Sequence, residues 1–161
     1  MINIEDLINS FALNVRIIQL QTAGLSHEDS LIQPPYNGNC LNWVLGHFAI
    51  SRDRVLTLLG AENLLTTEER LFYETGSDPV TPENPPLLTL GRLLELHATS
   101  QQIIEERLRN LTEAELARPM EGQEDPSSIG QRIFGLYFHE TYHTGQTEQL
   151  RQLTGVNDQV I

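Results

Sequence analysis

The chain has 161 residues, of which 39% are hydrophobic and 20% charged, and its formal net charge is −12. This length and composition are typical of one soluble domain with a single hydrophobic core, so we expect residues 1–161 to form one domain. The acidic charge disfavours nucleic acids and anionic membranes as partners, because binding to either needs a surface rich in basic residues. No apolar run approaches the ~20 residues that a membrane span requires.

Cys40 is the only cysteine, so an intrachain disulfide is excluded and a reducing compartment is compatible with the sequence. The first residues lack the basic stretch and the apolar stretch of a signal peptide. We therefore predict a cytoplasmic protein. Nothing basic surrounds Cys40, and we do not expect it to be a nucleophile.

Four segments show helical periodicity, and clusters of Pro, Gly and Asn separate them. Long connectors join the first segment to the second and the second to the third, and one short helical turn is expected near residues 66–70. The predicted fold is therefore all-α, an antiparallel four-helix bundle with long connectors between helices 1-2 and 2-3. The four predicted helices cover approximately residues 4–23, 41–59, 87–110 and 127–154.

The fourth segment carries the main functional signal, because polar residues occupy the middle of its predicted apolar seam. His139 and His143 are one helical turn apart and would project toward the same point, as two imidazoles that bind one metal ion do. Polar groups in a bundle seam are costly unless they are paired or bind a ligand. Taken alone, the pair is equally compatible with two hydrogen-bonded core histidines. The predicted seam consists of Ile129, Leu136, His139, His143, Gln146, Leu150 and Leu153.

A third ligand would strengthen the prediction of a metal site, and His47 is the best candidate. It lies on the flank of the apolar face of the second segment, among mostly apolar neighbours. A lone histidine in such a place is also commonly a hydrogen-bonded core residue. His97 is the competitor, but its polar neighbours predict a peripheral position. His27 lies in a polar connector, and we assign it no role.

Other polar residues near the predicted site have alternative interpretations. Gln146 either bonds to a ligand or a bound water, or bonds to a neighbouring helix. Glu140 is expected at the surface, with a role as a base or in orienting an imidazole as the alternative. Arg54 shares a helix face with His47 and either binds an anionic substrate or forms an internal ion pair, which the acidic composition favours. No residue is singled out as catalytic.

Two stretches have characteristic spacings. Residues 138–146 contain His-x-x-x-His followed by one residue and Gly-Gln, and this pattern resembles the last helix of the DinB/YfiT-like superfamily of metal-binding proteins. Residues 41–47 are similar to its second helix, where a Trp precedes the metal-binding His by four. The order and spacing of these features agree over nearly the whole chain.

The resemblance implies that His47, His139 and His143 bind one divalent transition metal, Zn²⁺ or Ni²⁺, and that the protein forms a homodimer. In the sequence itself, Trp43 and the face of the first segment offer surfaces for such a contact. Some relatives are thiol-dependent S-transferases or isomerases that use a low-molecular-weight thiol. One departure is Thr144, because many members have a basic residue directly after the last His.

Three neutral imidazoles suit Zn, Ni, Cu or Fe better than Mg or Ca, and three protein ligands leave a coordination position open. We therefore expect a metal-dependent enzyme, either a hydrolase or a thiol-dependent S-transferase that acts on a small molecule. The alternative is a non-catalytic, metal-dependent sensor or dimerisation module.

Overall fold

A computed structural model describes residues 3–120 and 127–156 of the chain. The other residues of the predicted domain 1–161, namely 1–2, 121–126 and 157–161, lie outside the described ranges. Four long helices are present, as the sequence predicts, together with a 3-10 turn (Asp29–Leu31) and two short helices, α3 (Thr67–Phe72) and α5 (Glu113–Leu116). The long helices are α1 (Ile4–Thr22), α2 (Leu41–Leu58), α4 (Leu90–Arg109) and α6 (Ile129–Gln152).

Local capping interactions define where several helices begin. The side chain of Asn3 accepts hydrogen bonds from the backbone N–H groups of Glu5 and Asp6 at the start of α1. Ser128 and Gln131 form a reciprocal capping box at the start of α6. Because such signals are local in sequence, the predicted helix ends agree with the observed ones within a few residues.

The helix α6 packs against α2 and α1, and α4 packs against the same two helices on the opposite side of the bundle. His47 faces His143 across the α2–α6 contact, while Ser51 bonds to His139. The residue numbers run in opposite directions, so α2 and α6 are antiparallel. This contact carries the candidate site.

The helices α2 and α4 lie side by side and run in the same direction. Leu45 accepts a hydrogen bond from His97, and Arg52 donates one to Gln101, so the residue numbers rise together along the two helices. A parallel pair requires the chain to return along the length of the bundle before the second helix begins. The long connector between α2 and α4 makes this return and includes α3.

The bundle interior consists of two apolar clusters, one at each end, with buried polar residues between them. One cluster surrounds Phe48 and Tyr73, and the other surrounds Phe11 and Ile133. Among the described residues, no helix has the length and apolarity that crossing a membrane would require.

Candidate metal centre

Three histidine side chains from α2 and α6 face one another at the edge of the bundle. The ring centroids are 5.2 Å apart for His47 and His139, 5.3 Å for His47 and His143, and 4.6 Å for His139 and His143. One potential ligand atom of each residue lies within 4.8 Å of the other two. The structure thus brings together the three histidines that the sequence singles out, and they can hold one metal ion.

Hydrogen bonds at the Nδ1 atoms of two histidines determine which nitrogen is left to bind a metal. Nδ1 of His47 lies 3.0 Å from the carbonyl oxygen of Tyr73. A carbonyl only accepts, so Nδ1 carries the proton and Nε2 carries the lone pair. Nδ1 of His143 lies 2.8 Å from Oε1 of Gln146, with the same consequence. Both imidazoles therefore direct an unprotonated Nε2 toward the cluster, in the arrangement typical of metal-bound histidines.

His139 completes the cluster from α6. Its Nδ1 lies 3.1 Å from Oγ of Ser51, and its Nε2 lies 3.2 Å from Nε2 of His143. Two nitrogens at ~2.0–2.1 Å from one zinc ion, at the tetrahedral angle, are about 3.3 Å apart. The observed separation fits two nitrogens that bind the same tetrahedral ion. It equally fits an N–H···N hydrogen bond between the two rings, and titration with metal distinguishes these two possibilities.

The environment of the cluster favours neutral imidazoles. Burial lowers the pKa of His47 below its ordinary value. Burial, with the nearby His143, His47 and Arg54, lowers the pKa of His139 to about 4. A histidine must be neutral to bind a metal, so at pH 7 these two side chains are in the binding form without losing a proton.

The connector between α2 and α4 holds His47 in place. The side chain of Tyr73 is fully buried, and a Cβ added to Gly46 would overlap its ring. Trp43 stacks on the other side of His47, with ring centroids 5.0 Å apart and 9° between the planes, and donates to Oγ of Ser77. Trp43 is only 7% exposed, so little of its surface is left for a dimer contact.

Two cavities meet the histidine cluster from opposite sides. The larger, of about 680 Å³, is lined by His139 together with Arg54 and Arg132. The smaller, of about 260 Å³, is lined by His143 and Gln146 together with residues of the α1–α2 connector. A small molecule can therefore approach the cluster along the α2–α6 groove from either end.

The histidines do not lie on the core face of α6, which corrects the predicted seam. Glu140 and Thr144, each one residue further along the chain, face the core, while His139 and His143 are half-buried. The offset of one residue turns the imidazoles toward the α2–α6 edge, where both cavities open. The buried face of α6 consists of Gly130, Ile133, Glu140, Thr144, Thr147, Leu150 and Arg151.

Two expectations about neighbouring residues were wrong. His97 is 1% exposed rather than peripheral, and its Nε2 donates to the carbonyl oxygen of Leu45, away from the cluster. Burial lowers the pKa of His97 to about 3. Glu140 is fully buried rather than exposed, because it forms an ion pair with Arg52.

The internal ion pair expected for Arg54 is made instead by Arg52, whereas Arg54 is exposed at the wall of the larger cavity. Gln146 bonds to His143, in agreement with one of its two interpretations. Two further residues at the site, Ser51 and Tyr73, were not predicted from the sequence. The position of Ser51, four residues after His47 on the same helix face, was an available signal. Tyr73 acts through its backbone carbonyl, and no side-chain pattern identifies such a contact.

Comparison with known proteins places the fold in a family. Among curated proteins, no sequence matches the chain significantly. The fold is similar to the crystal structure of a conserved protein from Enterococcus faecalis, with a TM-score of 0.76 and 17% identity over 96% of this chain and 98% of that one. At this identity the likeness shows the fold alone. The DinB superfamily model matches residues 18–147, which include all three histidines, and the chain therefore belongs to the DinB superfamily.

Proposed function

We propose that this protein is a metal-dependent enzyme that acts on a small molecule, with His47, His139 and His143 as ligands of one Zn²⁺ or Ni²⁺ ion. The observation that carries the proposal is the convergence of the three imidazoles at the junction of two cavities, with Nδ1 of each ring held by another group. When bound, such a metal supplies a Lewis acid that lowers the pKa of a water or thiol in its open coordination position.

The cavities favour a thiol-dependent S-transferase over a hydrolase. An S-transferase must hold a thiol and an electrophile at once, and the cluster has a cavity on each side. None of the described residues that line the two cavities is Asp or Glu. A hydrolytic metal site commonly has such a carboxylate as its general base, so hydrolysis is the second candidate.

The metal proposal is tested on protein purified without a His-tag and loaded with Zn²⁺ or Ni²⁺. We expect one ion per chain in the wild type, strongly reduced loading in His143→Ala, and normal loading in His27→Asn. His27 is the matched control because it bonds to the start of α4, outside the cluster. Fewer than about 0.1 ions per chain in the wild type would contradict a metal site of ordinary affinity.

The reaction is tested by screening the metal-loaded protein with small thiols and an alkylating electrophile, and in parallel with simple esters and amides. Conjugation of the thiol that is lost after chelation, and absent in His143→Ala, supports the transferase. Ester or amide turnover with the same dependence supports the hydrolase. Turnover that survives complete chelation would rule out the proposed enzyme.

A non-catalytic, metal-dependent dimerisation module is the alternative function, and one observation favours it. The helix that carries two of the three histidines also exposes Phe134, Phe138 and Tyr142, which are spaced by four residues on its outer face. Metal-dependent oligomerisation without turnover would support this alternative. In either case we propose a homodimer formed through this face of α6.

We also propose a cytoplasmic location. Cys40 is buried and is the only cysteine, so the chain has no intrachain disulfide that would need an oxidising compartment. Localisation of the tagged native protein by cell fractionation tests this point.

A further inference from the structure

The larger cavity has an unusual charge for so acidic a protein. The chain has 22 Asp and Glu against ten Arg and no Lys, yet the described lining of this cavity includes two arginines and no carboxylate. The arginines are Arg54 and Arg132. Both are exposed, and neither forms a salt bridge with a described residue. Within residues 3–120 and 127–156, no carboxylate therefore neutralises these two charges at the cavity wall.

The two arginines lie on the same side of the histidine cluster along the α2–α6 groove, and Arg132 lies about one helical turn further from it than Arg54. Arg54 follows His47 by seven residues on α2, and Arg132 precedes His139 by seven residues on α6. Because the two helices are antiparallel, both steps lead in the same direction from the cluster. Seven residues of helix span roughly 10.5 Å, so Arg132 lies about two helical turns from His139, whereas Arg54 follows Ser51, the partner of His139, by only three residues.

The wall of the cavity that the two arginines share with His139 is partly aliphatic. Leu58, Leu136 and Met120 line the same cavity. A guanidinium binds carboxylate and phosphate oxygens through paired N–H donors, and an aliphatic wall favours a hydrocarbon segment next to that group. Two guanidinium groups, aliphatic side chains and one histidine of the cluster thus line the same cavity.

We propose that the larger cavity binds a small aliphatic molecule through a carboxylate or phosphate group held by Arg54 and Arg132, with its other end directed toward the three histidines. This inference rests on the proposed function, because it names the class of substrate that the site accepts. The smaller cavity, on the far side of the cluster, is then left for the second reactant.

The test measures binding to the zinc-loaded protein by calorimetry and by chemical shifts of backbone amides. Hexanoate and butyl phosphate are the anionic probes, and hexanamide and butanol are their neutral counterparts. We expect only the anions to bind, and at least about tenfold weaker binding in the double variant Arg54→Gln/Arg132→Gln. Arg107→Gln is the matched control, because Arg107 is exposed on α4, diagonally across the bundle from α6. The anion that binds more tightly identifies the preferred group.

The outcomes separate this inference from the proposed function. If the double variant retains full zinc but binds hexanoate and butyl phosphate as tightly as the wild type, the arginine site is wrong and the metal site stands. Equal binding of hexanoate and hexanamide overturns the inference as well. If the wild type binds no metal, the same titrations on the metal-free protein still test the arginines, and loss of anion binding in the double variant supports them. Weaker binding at higher salt concentration supports an ionic contact.

Discussion

Arg52 and Glu140 form an ion pair in the middle of the bundle, with Nη2 and Oε1 2.7 Å apart and both side chains 1% exposed. Arg52 belongs to α2 and Glu140 to α6. The same guanidinium donates to the carbonyl oxygen of Phe11 on α1 and to Oγ of Ser100 on α4. One side chain therefore connects all four long helices, at the level where Ser51 and His139 meet. The ion pair fixes the part of α6 that carries the candidate ligands.

Removing the charge of Glu140 should destabilise the protein strongly. Glu140→Gln leaves the buried guanidinium of Arg52 without a counter-charge, and we expect a loss of about 3–5 kcal/mol in the free energy of unfolding. Denaturant unfolding of the metal-free protein measures this. Glu95→Gln, in the exposed pair with Arg92, is the control, with an expected change below about 1 kcal/mol. Equal effects of the two variants would show that the buried pair is not a major contact.

The ion pair also shows why the fold was easier to predict than the site. The four helices follow from apolar periodicity and from end signals such as Ser128, which act within one segment. The core face of α6 could not be found in this way. Glu140 and Thr144 have the polarity of surface residues, and only partners from other helices, such as Arg52, allow them to be buried.

The candidate site was partly predictable for the same reason. The spacing of His139 and His143 is a local pattern, and it correctly indicated that the two imidazoles lie together. The apolar neighbours of His47 made it a candidate, but its assignment as a ligand rested more heavily on family resemblance, because nothing in α2 alone indicates what it faces. Its partner, the carbonyl of Tyr73, comes from the long connector, and such a backbone contact is specified only by the tertiary structure.

Substituting Gly46 should disturb the candidate site through the connector. In Gly46→Ala the new methyl group overlaps the ring of Tyr73, whose carbonyl holds His47. We expect about 1–3 kcal/mol of destabilisation from overpacking, together with weaker zinc binding. Gly91→Ala is the control, because a Cβ there meets no atom within 4 Å and alanine favours the helix. Unchanged zinc affinity in Gly46→Ala would show that the connector does not position the histidine.

The residues that hold the Nδ1 atoms should tune zinc affinity without being ligands. Ser51→Ala removes the partner of His139, and Gln146→Leu removes the partner of His143. We expect zinc binding to weaken by about 10- to 100-fold in each, because the rings lose their fixed orientation. Competition with a chromogenic chelator measures the affinity. Gln149→Leu, at an exposed position one turn further along α6, should bind zinc as the wild type does; if all three variants behave alike, orientation by these groups is unimportant.

The stability of the metal-free protein should fall as the pH drops below about 6.5. In the folded state the pKa of His97 is lowered to about 3 by burial, so below pH 6.5 the unfolded chain takes up a proton that the folded chain does not. His97 alone should therefore remove about 1.4 kcal/mol of stability per pH unit between pH 6.5 and its folded pKa. Denaturant unfolding at several pH values measures the slope. His97→Gln should reduce it by this amount, and an unchanged slope would mean that His97 takes up its proton normally in the folded state.

The exposed aromatic residues of α6 should form the contact between two copies of the chain. Phe134, Phe138 and Tyr142 are 47%, 64% and 64% exposed, and the outer face between them contains no charged residue. Two chains of net charge −12 repel each other, so an uncharged face is where they can approach most closely. In a dimer, Phe138→Glu places one negative charge from each chain in this contact, so we expect sedimentation experiments to show a monomer. Leu71→Glu is the control, because Leu71 is an equally exposed apolar residue on α3, and this variant should remain a dimer. A wild-type monomer at concentrations of about 100 μM, or a dimer that survives Phe138→Glu, would place any self-association elsewhere.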